Sequence, residues 1–264
     1  MTATKTNKPL KRFGQNYIHD NNILNNIISE FSPKIGDNIL EIGPGRGSLT
    51  KLLLEKVENL TAVEIDTRVI ENLQSLSPSL NLINDDFLNI ELISIFKLTD
   101  KKIRIIGNIP YNITSPIIFK LIDNHNLVSD AVLMVQHEVA NRMTGKKGTK
   151  NYGIFSIILN YFCEVKYCFK VSRNVFIPKP NVDSAVVRLQ FKKNSETEEL
   201  QKIFIKTVKA SFGNRRKMLR NSLSNSIFNT IDFNKCKIDL TKRAEDLDIT
   251  DFLIMSKFIL INQK

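Results

Sequence analysis

The sequence predicts an α/β protein built on a mostly parallel sheet with an antiparallel edge strand, followed by a small all-helical C-terminal domain. Three observations predict it. Short, nearly all-apolar runs alternate with helical stretches over the first ~150 residues, which implies βαβ units in a sheet covered on both faces. After Tyr152 strand-like runs follow one another with no crossover helix between them, which favours antiparallel pairing at the edge. Beyond the polar stretch Lys192–Glu199 only helical periodicity remains, so the domain boundary falls there, giving residues 1–195 and 196–264. A chain of 264 residues with 42% hydrophobic and 25% charged side chains is globular in composition and supports a full core.

The elements follow in order. Asp20 N-caps a helix with Ile23, Leu24, Ile27, Ile28 and Phe31 on one face, closed by Pro33 and Gly36. Strands are expected at Asn38–Ile42, Leu60–Ile65, Leu82–Asn84, Ile103–Gly107 and Ala131–Gln136. Helices are expected at Ser48–Lys56, Thr67–Leu76, Ser115–Ile122 and from His137 to Met143. A helix over Tyr152–Phe162 then precedes two β-branched runs, Glu164–Val171 and Val182–Phe191. The remainder reads as helices at Leu200–Ala210, Arg215–Phe228 and Asp251–Ile261.

Charge is unevenly placed. The net charge is +11, yet residues 1–13, 142–150 and 201–220 hold 4, 4 and 7 cations with no acid, so the rest of the chain is net negative. A neutral-to-acidic body with basic segments is what a polyanion binder needs, since phosphate contacts dominate nucleic-acid affinity. The start of the chain is polar and lacks an apolar secretory core, and no run reaches the length of a spanning helix, so a cytoplasmic protein without membrane contact is expected. Cys163, Cys168 and Cys236 are too few and ill-spaced for a disulfide framework or a metal site. His137-Glu138 resembles the start of a zinc-protease helix, but position 141 is Asn, so no metal is expected.

Glu41-Ile42-Gly43-Pro44-Gly45-Arg46-Gly47 joins a predicted strand to a predicted helix, where glycines allow positive φ and close approach of a ligand. Glu64 ends the next strand, 21 residues after Gly43, where a carboxylate accepts from ribose hydroxyls. The acid Glu41 would repel a pyrophosphate, and Pro44 lacks the N–H that a phosphate would use. A cationic sulfonium with an amino-acid tail suits this loop better, so S-adenosylmethionine is expected in preference to NAD. Asp86 ends the third strand, placed to accept from an adenine amine, although an N-cap role fits it too and neighbouring Asp85 could exchange roles with it.

Asn108-Ile109-Pro110-Tyr111 follows the fourth strand, whose C-terminal end opens onto the ligand crevice of such a sheet. A plain turn explains Asn and Pro; Tyr111 adds a ring for stacking. Adenine N6 is a poor nucleophile because its lone pair is delocalised. Asn108 Oδ1 and a carbonyl of Ile109 or Pro110 can accept its two hydrogens and pull the nitrogen toward pyramidal geometry. Tyr111 stacks on the base and Phe176 on its second face. No strong base is required, and the base must be unpaired or flipped out.

Phe13-Gly14-Gln15-Asn16, EIGPGRGSLT, NIPYNITSP, FIPKPNVDSAVV (residues 176–187) and NRRKMLRNSL (residues 214–223) together resemble the ribosomal RNA adenine N6,N6-dimethyltransferases, in order and over about residues 11–225. The resemblance implies a Rossmann-like S-adenosylmethionine-dependent methyltransferase that dimethylates two adjacent adenosines in a hairpin loop near the 3′ end of small-subunit rRNA, within a pre-30S particle. It implies cofactor contacts at Asn16, Ile18, Gly43, Glu64, Asp86 and Asn108. Ile18, Tyr17 and Ile109 stand where the family commonly has Leu, Phe and Leu. Lys11 and Arg12 would flank the cofactor entrance, Arg142, Lys146 and Lys147 would rim the cleft, and Arg215, Arg216, Lys217 and Arg220 would meet rRNA phosphates. A monomer is expected. The rival readings are a large-subunit rRNA adenine methyltransferase of the macrolide-resistance type, a non-catalytic assembly factor on the same scaffold, and a DNA adenine methyltransferase.

Overall fold

The computed structural model describes residues 14–96, 101–214 and 217–263. Its elements are β1 (Tyr17–Ile18), α1 (Asn21–Phe31), β2 (Asn38–Ile42), α2 (Ser48–Leu54), β3 (Leu60–Val63), α3 (Thr67–Gln74), β4 (Leu80–Ile83), α4 (Leu92–Ile95), β5 (Ile103–Asn108), α5 (Thr114–Asp123), β6 (Val128–Gln136), α6 (His137–Met143), α7 (Ile154–Phe162), β7 (Cys163–Val171), β8 (Phe176–Ile177), β9 (Ser184–Phe191), α8 (Glu198–Ser211), α9 (Leu219–Ser224) and α10 (Ile249–Asn262).

Seven strands form one sheet in the order β4-β3-β2-β5-β6-β9-β7. The pairs β3–β4, β2–β3, β2–β5 and β5–β6 are parallel, and β9 runs antiparallel to β6, so the expected α/β class is what folds. The chain winds from β2 outward through β3 and β4, then returns to the other side of β2 with β5. That reversal leaves a crevice at the C-terminal ends of β2 and β5, the usual ligand position in open α/β sheets. The strands there are buried on both faces: Ile39, Leu40, Ile105 and Ile106 are at most 1% exposed.

Local chemistry places α1 as expected. The Asp20 carboxylate accepts from the backbone N–H groups of Asn22 and Ile23, and Leu24, Ile27, Ile28 and Phe31 turn inward. Its last carbonyls, at Glu30, Phe31 and Ser32, take hydrogen bonds from Arg188 and Arg104. Both guanidinium groups also bind the buried Asp130 carboxylate, at 2.8–2.9 Å. This ionic knot lies at the start of β5, away from the crevice.

Two compact units emerge: residues up to Ala140 with Lys166–Lys192, and Asn141–Val165 with Lys193–Lys264. The sequence placed one cut after residue 195; the packing instead groups α7 with the C-terminal helices. The Tyr161 ring stacks on Phe204 at 4.2 Å, and Tyr152 Oη donates to the Leu247 carbonyl at 2.7 Å. A single amphipathic helix does not reveal which neighbour covers its apolar face. The helix expected at Arg215–Phe228 is shortened to α9. The N–H groups of Leu219 and Arg220 instead bond the carbonyls of Lys242 and Leu240, and the helix is capped at Asn225. Among the described residues no helix is long and apolar enough to cross a membrane, and no group of three or more His, Cys, Asp or Glu gathers as a metal site.

Candidate active site

The parallel register pairs Ile42 with Gly107, so Gly43 and Asn108 leave the sheet side by side. A Cβ on Gly107 would stand 2.7 Å from the Ile42 carbonyl, which explains why these strands approach so closely only with glycine there. In the loop that follows, Gly43 has φ +66° and faces open space, while a Cβ on Gly45 would collide with the Tyr17 ring at 2.7 Å. The result is a cavity of about 320 Å³, within the range of small-molecule sites. Its walls include Asn16, Gly43, Glu64, Asp86, Asn108, Pro110 and Tyr111.

Glu64 is 4% exposed. Its Oε2 accepts from the Gly45 N–H and its Oε1 from the Asp66 N–H, both at 2.8 Å. Burial raises its pKa, and those backbone donors oppose the rise. Each oxygen keeps a further lone pair toward the cavity. Asp86 Oδ1 accepts from the Leu88 N–H at 2.9 Å, so the N-cap role and the cavity position coexist. Asp85 also lines the cavity.

A recess of about 30 Å³ shares Tyr17, Gly43 and Asn108 with the cavity and is floored by Glu41 and Ile18. Glu41 is 1% exposed, and its Oε2 has no hydrogen-bond partner. Burial pushes its carboxyl up to about 8; the Thr50 hydroxyl opposes the rise and the nearby Glu64 charge adds to it. Ile18 thus borders the recess and not the main cavity, with its side chain in the apolar cluster.

Asn108 donates from Nδ2 to the Asn16 carbonyl at 2.8 Å. That bond fixes the amide's sense and leaves Oδ1 as the acceptor. Tyr111 begins a short 3-10 turn, and its phenol shares a 2.6 Å hydrogen bond with the hydroxyl of the fully buried Ser184. Burial raises the Tyr111 pKa, keeping the ring neutral. Sequence reasoning missed Ser184; its signal was the DSA segment at the start of β9, whose partner no spacing rule identifies.

Two expectations need correction. The Pro110 carbonyl accepts from the Ile113 N–H and the Thr114 hydroxyl, so it is occupied within the turn and Ile109 is left as the second carbonyl. Phe176 is 2% exposed, pairs with Ile18 across the β1–β8 ribbon and packs in the apolar cluster. It is not a cavity wall, so second-face stacking is not offered by this arrangement.

Among the described residues, none of the basic candidates is a wall of this cavity. Arg142, Lys146 and Lys147 are exposed and belong to the helical unit, with the Arg142 guanidinium 5.7 Å from the Phe155 ring centre. Lys217, just before α9, and Arg220, in its first turn, are exposed. Lys11, Arg12, Arg215 and Arg216 lie outside the described residues.

The family profile for ribosomal RNA adenine dimethylase matches residues 6–260. The chain belongs to the ribosomal RNA adenine dimethylase family. Members among its relatives include the protein named ribosomal RNA small subunit methyltransferase A from Chlorobium phaeobacteroides (strain BS1), 42% identical over 94% of this chain and 92% of that protein. The protein of the same name from Legionella pneumophila (strain Corby) is 41% identical over 95% and 98%. Among solved structures, a dimethyladenosine transferase from Plasmodium falciparum superposes with a TM-score of 0.77 at 28% identity, over 90% of this chain and 95% of that one. The 23S rRNA methyltransferase ErmE shares the dimethylase fold, with a TM-score of 0.69 at 23% identity over 92% and 99%.

Proposed function

We propose that this dimethylase transfers methyl groups from S-adenosylmethionine to N6 of two adjacent adenosines in the 3′-terminal hairpin loop of small-subunit rRNA, acting in the cytoplasm on a pre-30S particle and contributing to small-subunit biogenesis. The observation that carries the reading is the Asn108 amide, locked by Asn16 so that its oxygen faces a cavity bounded by the glycine loop and Tyr111.

The residues fit the donor. The partnerless Glu41 oxygen at the recess suits a cationic amino-acid end. Glu64 has lone pairs left for ribose hydroxyls, and Asp86 keeps Oδ2 for an adenine amine. Asn16 and Gly43 complete the walls. When bound, S-adenosylmethionine supplies a methyl carbon made electrophilic by its sulfonium.

Asn108 Oδ1 and the Ile109 carbonyl accept the two N6 hydrogens of the target adenine, which frees the nitrogen lone pair for attack. Tyr111, held at its hydroxyl by Ser184, stacks on the ring and fixes its tilt. The methylated nitrogen, cationic once the new bond forms, sheds its proton to these acceptors or to water, so no dedicated base is needed. A paired adenine cannot enter such a cavity, and the target is an extruded loop base. Lys217 and Arg220, with Arg142, Lys146 and Lys147, supply phosphate contacts; Lys11, Arg12, Arg215 and Arg216 join them on sequence grounds.

The test is incubation of the protein and S-adenosylmethionine with undermethylated small subunits and, in parallel, with large subunits, followed by mass spectrometry of each rRNA. A gain of four methyl groups on two neighbouring adenosines is expected. Methylation of large-subunit rRNA instead, or of neither, overturns the reading.

A further inference from the structure

Segment 14–18 runs along the cavity and is tied both to its walls and to groups beyond them. The Asn16 carbonyl takes the Asn108 amide, Gly14 lies against Asn112, and the Tyr17 ring packs on Gly45 with the Arg46 guanidinium 4.7 Å from its centre. Beyond the walls, Tyr17 and Ile18 pair with Ile177 and Phe176 in the β1–β8 ribbon, and the second outside tie is made by Gln15. Its Nε2 donates at 2.8 Å to Oδ2 of Asp66, a residue 1% exposed that is not part of the cavity wall. Arg68 grips the same carboxylate with Nε and Nη2, at 2.8 and 2.6 Å. The Asp66 N–H meanwhile donates to Glu64 Oε1, the carboxylate that faces the cavity.

We propose that Asp66, braced by Arg68, is a positioning residue that latches Gln15 and with it segment 14–18 across the donor cavity, so that donor and product exchange require the Gln15–Asp66 bond to open. The inference rests on the donor reading above. Three features make this bond a latch and not one more packing contact. The acceptor is charged, and a hydrogen bond to a charged group is stronger than a neutral one. Arg68 holds the Asp66 carboxyl down to about 2, so it remains an ionised acceptor throughout any working pH. The carboxylate is also pinned by its own helix: Asp66 N-caps α3 by accepting from the Arg68 N–H. A fixed acceptor in the sheet unit's frame therefore meets a donor on the crossing segment. Releasing Gln15 also frees the Asn16 carbonyl that orients Asn108, so exchange and catalysis are coupled through one backbone step.

The test uses S-adenosylhomocysteine as the probe, with its dissociation rate measured by stopped flow on the full chain. Gln15→Glu keeps the shape of the side chain and removes the donor; dissociation should quicken by about tenfold or more, as expected for a lost hydrogen bond to a charged group. The double variant Gln15→Glu with Asp66→Asn restores a donor–acceptor pair in reverse and keeps an N-cap on α3, at the loss of the Arg68 Nη2 bond to Oδ2; it should recover part of the slow rate. Neither lost packing nor a direct Gln15–ligand contact predicts rescue from residue 66. An unchanged rate in Gln15→Glu, or no recovery in the double variant, overturns the latch. Wild-type protein that fails to bind the probe at all overturns the donor reading and the latch with it.

Discussion

Replacing Asn108 by alanine removes a group that does two separable things. Its Nδ2 holds the Asn16 carbonyl at 2.8 Å, and its Oδ1 is the acceptor proposed for the target amine. The first is a ground-state hydrogen bond, worth about 0.5–1.5 kcal/mol, so donor affinity should fall by roughly 2- to 13-fold. The second matters most when the amine pyramidalises. By analogy with removal of one preorganised hydrogen-bonding group from a reaction site, it should cost about 10²–10³ in turnover. The imbalance is the signature, because an interaction made mainly in the transition state lowers turnover far more than binding. Calorimetry with the donor reads the loss of affinity, and single-turnover transfer of labelled methyl to undermethylated small subunits reads the loss of turnover. Turnover within about threefold of wild type, or losses in turnover and affinity of equal size, would refute Asn108 as the amine acceptor. Asn108→Asp sharpens the comparison: it keeps the shape but sets a carboxylate oxygen against the Asn16 carbonyl, and should also be impaired.

Tyr111→Ala should abolish transfer through loss of the stacking face, whereas Tyr111→Phe and Ser184→Ala keep the ring and loosen only its tilt, costing about tenfold or less; single-turnover rates check the order. Glu41 has its carboxyl pushed up to about 8 by burial, above an ordinary unfolded value of about 4.3. The folded protein therefore holds a proton that the unfolded chain has lost between those pH values, and its contribution to stability is full below the lower one and disappears as pH rises through 8. Thermal melts of the donor-free protein should thus fall from pH 5 to pH 8.5, and Glu41→Gln should flatten that fall; parallel curves for the two proteins would show that Glu41 does not carry the proton. Reversing Lys217 and Arg220 to Glu should weaken particle binding and reduce the slope of log affinity against log salt by roughly 0.7–0.9 per lost phosphate contact, and an unaltered slope would mean this face does not meet RNA.

Much of the sheet could be read directly because its strands are buried on both faces and therefore nearly all-apolar: β2, β3, β5 and β6 fall where the runs predict, within a few residues. The two-residue strands β1 and β8 carry no period to read, and α9 is shorter than its pattern because partners at Leu240 and Lys242 take its first N–H groups. At the site, the sequence could nominate Gly43, Glu64, Asp86, Asn108 and Tyr111, since each ends a strand or opens a turn at a spacing the crevice imposes.

By itself, then, the sequence determined the α/β class and the family and nominated the glycine loop and the Asn108 amide, all of which depend on local pattern and short motifs. Only tertiary structure decided that Phe176 is packed away, that the Pro110 carbonyl is spent in its own turn, that α7 joins the helical unit, and that Ser184 and Asp66 hold the ring and the crossing segment. Apart from the Pro110 turn, those outcomes depend on contacts between residues far apart in the chain, such as Gln15–Asp66 and Tyr111–Ser184, 51 and 73 positions apart. No periodicity encodes such pairs, because they are fixed by which surfaces the folded sheet brings together.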